Sequence, residues 1–153
     1  MLVFAVKHIE KDHGPLSEIM RDVKKTPYSY TSKDYEAAIA AKGNYVYVIE
    51  VRAEKNGVRS YWLGYKYKAF EAFEAFRLAG GALWKGEFKY KNSSQPTSKA
   101  DGMYFNDPVR LIDLDVCEWL TSKQPGMAEI PSSLVDSIEE VFNNPANGAI
   151  AFA

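Results

Sequence analysis

The sequence predicts one α+β domain over residues 1–153, a mostly antiparallel sheet centred on a hairpin from Tyr45 to Tyr67 with helices packed against it. Three observations lead there. Two runs rich in aromatic and β-branched residues, Tyr45–Glu54 and Val58–Tyr67, flank Lys55-Asn56-Gly57, and Asn-Gly is the favoured pair for a tight turn that needs φ > 0. Apolar stripes at Phe70, Phe73 and Phe76 and at Leu134, Ile138, Val141 and Phe142 have helical spacing and need a surface to lie on. At 153 residues the chain is long enough for one real core and short for two.

Taken in order, Leu2–Val6 is a short apolar run that suits a buried strand, with Lys7-His8-Ile9 at its polar end. Pro15 can open a helix that runs to Val23 on the stripe Leu16, Ile19, Met20, Val23, and Lys24-Lys25-Thr26-Pro27 ends it. Tyr28–Thr31 has strand character. Thr31 or Ser32 then caps a short helix over Tyr35–Ala41 that Gly43 and Asn44 stop.

In the hairpin, a two-residue loop at Asn56-Gly57 sets Glu54 against Arg59, Arg52 against Tyr61 and Val51 against Trp62. Trp62 then shares a buried face with Tyr47, Ile49 and Val51, where an indole is worth roughly 2–3 kcal/mol. The opposite face becomes apolar at its base through Val46, Val48, Tyr65 and Tyr67.

Beyond the hairpin, the repeat Ala69–Phe76 reads as a core helix ended by Gly80-Gly81, and Leu83–Tyr90 as a strand with a bulge at Gly86. Residues 91–101 contain no large apolar side chain and are expected to form a mobile loop. Met103-Tyr104-Phe105, a turn at Asn106-Asp107-Pro108 and a strand Val109–Val116 follow. After a turn at Gln124-Pro125-Gly126, Ser132 or Ser133 caps a last amphipathic helix that Asn143-Asn144-Pro145 stops. The tail is expected to fray unless Ile150 and Phe152 dock on the body.

Charge and composition remove several function classes. The formal net charge of −1 gives no global field that would draw the chain to DNA, RNA or an anionic membrane, so a nucleic-acid role needs a local patch. The single cysteine, Cys117, excludes an internal disulfide and a multi-cysteine zinc site and fits a reducing compartment. No run is long enough to span a membrane, and Lys7 and His8 interrupt the N-terminus before a signal-like core can form, so a cytoplasmic chain without membrane partners is expected. There is no Gly-rich phosphate loop, dinucleotide fingerprint or Gly-x-Ser-x-Gly elbow. His8, Asp12 and His13 could meet on a metal only if their loop folded back, so no metal is expected.

The succession strand, helix, Tyr-Ser-Tyr-Thr-Ser, helix, long strand resembles the ADP-ribosyltransferase fold of NAD-using toxins. Phe4–Ile9 is similar to that family's first strand with a histidine near its end. Pro27–Val51 (PYSYTSKDYEAAIAAKGNYVYVIEV) is similar to its aromatic, Thr-Ser, helix, strand segment, and Asp101–Val116 (DGMYFNDPVRLIDLDV) to the segment that carries its acid. The resemblance implies NAD as cofactor and a macromolecular target. It places His8 on the nicotinamide ribose, Tyr28 or Tyr30 against the nicotinamide ring and Ser32 in the same NAD-binding set. Breaking the glycosidic bond develops positive charge on the ribose, which a carboxylate must stabilise. The candidates are Asp101, one residue before the position that the family spacing marks, and Glu87; the family's Glu-x-Glu pair is absent.

A second reading is a binding module without chemistry. The basic and aromatic mixtures Tyr61–Lys68 and Trp84–Lys91 (WKGEFKYK) fit a platform on which bases stack while lysines meet phosphate. This resembles the small PUA-like barrels that read modified bases. A third is a protein-binding inhibitor or adaptor of the kind that phages and mobile elements encode.

Overall fold

A computed structural model describes residues 2–23, 28–31, 43–74, 88–92, 102–123 and 127–152. Strand β1 (Val3–Ile9) leads through the short helix α1 (Glu10–His13) to α2 (Leu16–Val23), and β2 (Tyr28–Thr31) follows. The central pair is β3 (Tyr45–Ala53) and β4 (Arg59–Glu74), succeeded by β5 (Phe88–Asn92) and β6 (Met103–Arg110). Helix α3 (Leu114–Ser122), β7 (Met127–Glu129), α4 (Ser132–Asn143), a 3₁₀ turn (Pro145–Asn147) and β8 (Ile150–Ala151) complete the chain.

The strands form one mixed, mostly antiparallel sheet in the order β2-β5-β4-β3-β1-β7, with β6 also on β4 and β8 on β6. The fold is α+β, as expected. Among the described residues only β1 and β3 run parallel, Val3 opposite Tyr45 through Ile9 opposite Val51. Strand β2, at one end of the order, comes alongside β1 near the other end, so the sheet curls back toward a barrel.

Two core layers explain why β3 is apolar at nearly every position. On one side Val46 and Val48 join Phe4, Val6, Tyr65 and Tyr67 beneath Leu16 and Met20 of α2. On the other, Tyr47, Ile49 and Val51 join Tyr61 and Leu63 beneath Val116 and Leu120 of α3 and Ile138 and Phe142 of α4. A strand covered on both faces must be apolar in both parities, which the run Tyr-Val-Tyr-Val-Ile supplies. Phe152 is only 1% exposed and lies edge-on to Tyr65, so the tail docks.

The hairpin exists, but its register differs from the expected one by a residue. Ala53 pairs Arg59, Val51 pairs Tyr61 and Glu50 pairs Trp62. The loop has three residues, closed by Glu54 N–H to Val58 O at 2.8 Å and Gly57 N–H to Glu54 O at 3.0 Å, with Gly57 at φ +80°. This is the three-residue hairpin in which glycine takes the left-handed position, and Lys55 joins the loop. Trp62 therefore points to the polar face with Glu50 and Arg52, a correction to the expected inward indole. A bulge restores the base: Ile49 pairs Leu63 but Val48 pairs Tyr65, leaving Gly64 over. A Cβ there would lie 2.3 Å from Leu16 Cδ2, so α2 rests directly on that glycine.

Four further expectations are corrected. Residues 70–74 continue β4 and pair with β5 instead of forming a helix, because cross-strand partners override the helix propensity of Ala and Glu. Leu114–Val116 is helical rather than the end of a strand. Asp113 supplies the α3 cap, its Oδ1 accepting the Val116 N–H at 3.1 Å. Asn106-Asp107-Pro108 lies inside β6, in the irregularity between the Leu63–Val109 and Tyr65–Tyr104 pairs. Helix α4 starts after Pro131 with no side-chain cap from Ser132 or Ser133. The expected Tyr35–Ala41 helix, the Gly80-Gly81 stop, the Gly86 bulge, the turn at residues 124–126 and most of the 91–101 loop lie outside the described residues.

Candidate nucleic-acid interface

Tyr-Ser-Tyr-Thr in β2 and Phe-Lys-Tyr-Lys in β5 are rich in the residue types that suit a pleated strand, and they pair antiparallel. The register sets Tyr28 opposite Lys91 and Tyr30 opposite Lys89. Strand β5 in turn pairs with the far end of β4, Lys91 opposite Glu71 and Lys89 opposite Phe73. Directly opposed positions lie on one face of a sheet and alternate positions along a strand return to it. Positions 28, 30, 89, 91, 71 and 73 thus share one face of a three-stranded ribbon, bearing three aromatic residues, two lysines and one glutamate.

The face is built from two segments that lie far apart in the sequence. Tyr28 and Tyr30 belong to the segment resembling the NAD-binding one, and Lys89 and Lys91 to the basic, aromatic run Trp84–Lys91; the fold brings them together. The other half of the expected platform fails. In Tyr61–Lys68, Tyr61, Tyr65 and Tyr67 are buried in the two core layers, and Lys66 Nζ sits 2.6 Å from Glu139 Oε1 over the Phe142 ring. Rings packed inside the core have no face left for a base.

Of the remaining candidates, His8 is on β1, half-buried, with Nε2 2.8 Å from the Gly14 carbonyl oxygen and Glu50 as its register partner on β3. The approach of β2 to β1 brings the tyrosine strand beside the histidine strand. Ser32, Glu87 and Asp101 lie outside the described residues, as do Trp84–Glu87. Among the described residues no group of three His, Cys, Asp or Glu side chains could hold a metal ion.

A polar cluster at the distal end of β3 escaped sequence reasoning. Glu50 is 0% exposed, and its carboxylate accepts the Leu16 N–H and the Arg52 Nε–H, each at 2.5 Å. Arg52 also reaches Glu10 at 3.2 Å and lays its guanidinium 3.9 Å over the Trp62 ring, while Trp62 Nε1 donates to Ser60 Oγ at 2.9 Å. The cluster anchors the start of α2 to the sheet, since a buried carboxylate must be met by donors. The signal was a lone Glu between Ile49 and Val51 in the most apolar strand.

On the opposite layer, Tyr47 donates its hydroxyl proton to Glu139 at 2.7 Å, and burial followed by that carboxylate drives the phenol's pKa well above its ordinary value. Burial likewise raises the Cys117 thiol, with Asp113 adding to the effect, so the thiolate is disfavoured there. No helix among the described residues is long and apolar enough to cross a membrane.

No family model matches the chain, and no curated protein matches it.

Proposed function

We propose that this domain is a binding module for single-stranded nucleic acid, with the β2–β5 ribbon and the end of β4 as its platform. The observation that carries this reading is the register that sets Tyr28 beside Lys91 and Tyr30 beside Lys89. Bases stack on the tyrosine rings, each stack contributing about 1–3 kcal/mol, and the neighbouring lysines meet phosphates. The curl of the sheet, with β2 meeting β1, supports the PUA-like resemblance. On that resemblance a modified base is one thing the platform would accept. With a net charge of −1 over the whole chain, binding depends on these local cations and is modest.

The test is a fluorescence anisotropy titration with a labelled single-stranded oligonucleotide. Saturable binding that weakens at least tenfold in a Y28A/Y30A variant of unchanged melting temperature is expected. Equal affinity in wild type and variant would overturn the reading.

A second reading, an ADP-ribosyltransferase-like NAD site with or without activity, draws support from the approach of β2 to β1, the strands on which the resemblance places Tyr28, Tyr30 and His8. Titrating NAD while following the melting temperature separates the two. A site raises stability as RT ln(1 + [L]/Kd), so no shift at NAD concentrations of about 1 mM would remove this reading.

A further inference from the structure

The chain holds two Asn-Gly pairs, Asn56-Gly57 in the β3–β4 loop and Asn147-Gly148 at the end of the 3₁₀ turn. In such a pair the glycine nitrogen can close a five-membered ring on the asparagine side-chain carbonyl, and no Cβ stands in the way. The two backbones are alike. Each glycine has a positive φ and donates its N–H to the carbonyl three residues back, Gly57 to Glu54 at 3.0 Å and Gly148 to Pro145 at 3.2 Å. The side chains differ. Asn56 is exposed and held through its oxygen, Oδ1 accepting the Val58 N–H at 3.2 Å, and among the described residues its Nδ2 has no partner. Asn147 is half-buried and held through its nitrogen, Nδ2 donating to the Val141 carbonyl of α4 at 3.0 Å.

We propose that Asn56 is a self-modification site, at which the folded chain deamidates through a cyclic imide while Asn147 is protected. The Gly57 nitrogen gives its proton to solvent hydroxide and attacks the Asn56 side-chain carbon, forming the ring C–N bond as the carbonyl π pair moves onto Oδ1. The Val58 N–H already donates to that oxygen and stabilises the charge that develops there. The pair returns, the bond from the side-chain carbon to Nδ2 breaks, and the nitrogen leaves as ammonia with a proton from water. Water then opens the imide at either carbonyl to give aspartate or isoaspartate, so one water is consumed and one ammonia released. At Asn147 the bond to the Val141 carbonyl must break before the side chain can swing onto the Gly148 nitrogen. Either product puts a carboxylate at the hairpin tip, and isoaspartate also adds a methylene to the backbone of the three-residue loop.

The experiment holds the full chain in mildly alkaline buffer, native in one arm and unfolded in guanidinium chloride in the other. Timed samples are digested with chymotrypsin, and the exchange of –NH2 for –OH at each asparagine is followed by mass spectrometry. In the native protein Asn56 should convert at least tenfold faster than Asn147, and unfolding should bring the two rates together, because it removes the Val141 bond that protects one of them. Isoaspartate should accompany aspartate at position 56, the sign that the imide was formed. Equal rates in the native protein, Asn147 ahead of Asn56, a native ratio that persists after unfolding, or no conversion at Asn56 would each overturn the proposal.

Discussion

Glu50 holds two donors, the first N–H of α2, for which it is the acceptor at that buried position, and the Arg52 guanidinium, which it shares with Glu10. Replacing it with Ala leaves the Leu16 N–H unpartnered inside the protein, which should lower stability by roughly 1.5–3 kcal/mol in urea unfolding. Tyr47 makes the converse point. Its phenol has a raised pKa in the folded state because burial and Glu139 disfavour the phenolate. The stabilisation linked to the neutral phenol is therefore fully present below about pH 10, the unfolded value, and declines as pH rises above it. Melting temperature followed from pH 8 to 11 should fall more steeply in wild type than in Y47F.

At the scale of elements, helix α3 shows how a single side chain can decide between two readings of one stretch. Leu111, Ile112, Leu114 and Val116 alternate with polar residues well enough to read as a strand. Yet Asp113 accepts the Val116 N–H and turns the chain into a helix, leaving Ile112 and Leu114 outside. The Val116 N–H first, and Ser137 second, hold the Asp113 carboxyl below its ordinary range. The cap thus contributes above the unfolded pKa, about 3.9, and is lost as pH falls through the lower folded value. Thermal melts between pH 2 and 6 should show a shallower acid loss for D113N, because Asn caps without titrating. The same scale explains the other corrections. The hairpin was legible from Asn56-Gly57, but whether Lys55 belonged to its loop was a matter of one bond, Glu54 N–H to Val58 O, and that bond decided which way Trp62 faced. The Phe-Glu-Ala repeat favours a helix locally, while its pairing with β5 is a distant fact that no window around residue 70 contains.

For the molecule as a whole, what was hard to read was adjacency. The amphipathic α2 and α4 and the two-sided apolar β3 were visible because each is a local pattern. The parallel alliance of β1 with β3, and the meeting of β2 with β5 some sixty residues later in the chain, are not patterns of any segment. Likewise the site was half legible: the tyrosines of β2 and the lysines of β5 were each singled out, but their sharing a face follows only from the register. Conversely, Tyr61–Lys68 has the composition of a platform, but its Tyr61, Tyr65 and Tyr67 lie in the core, because covering both faces of the central pair requires the same aromatic residues.

The salt dependence of oligonucleotide binding, measured on wild type, K89A and K91A, tests the platform most directly. The expected result is a logarithm of affinity that falls linearly with the logarithm of salt concentration, with a slope reduced in magnitude by about 0.7 for each lysine removed. A slope that is the same in all three proteins, or affinity that ignores salt altogether, would contradict a backbone held between Lys89 and Lys91.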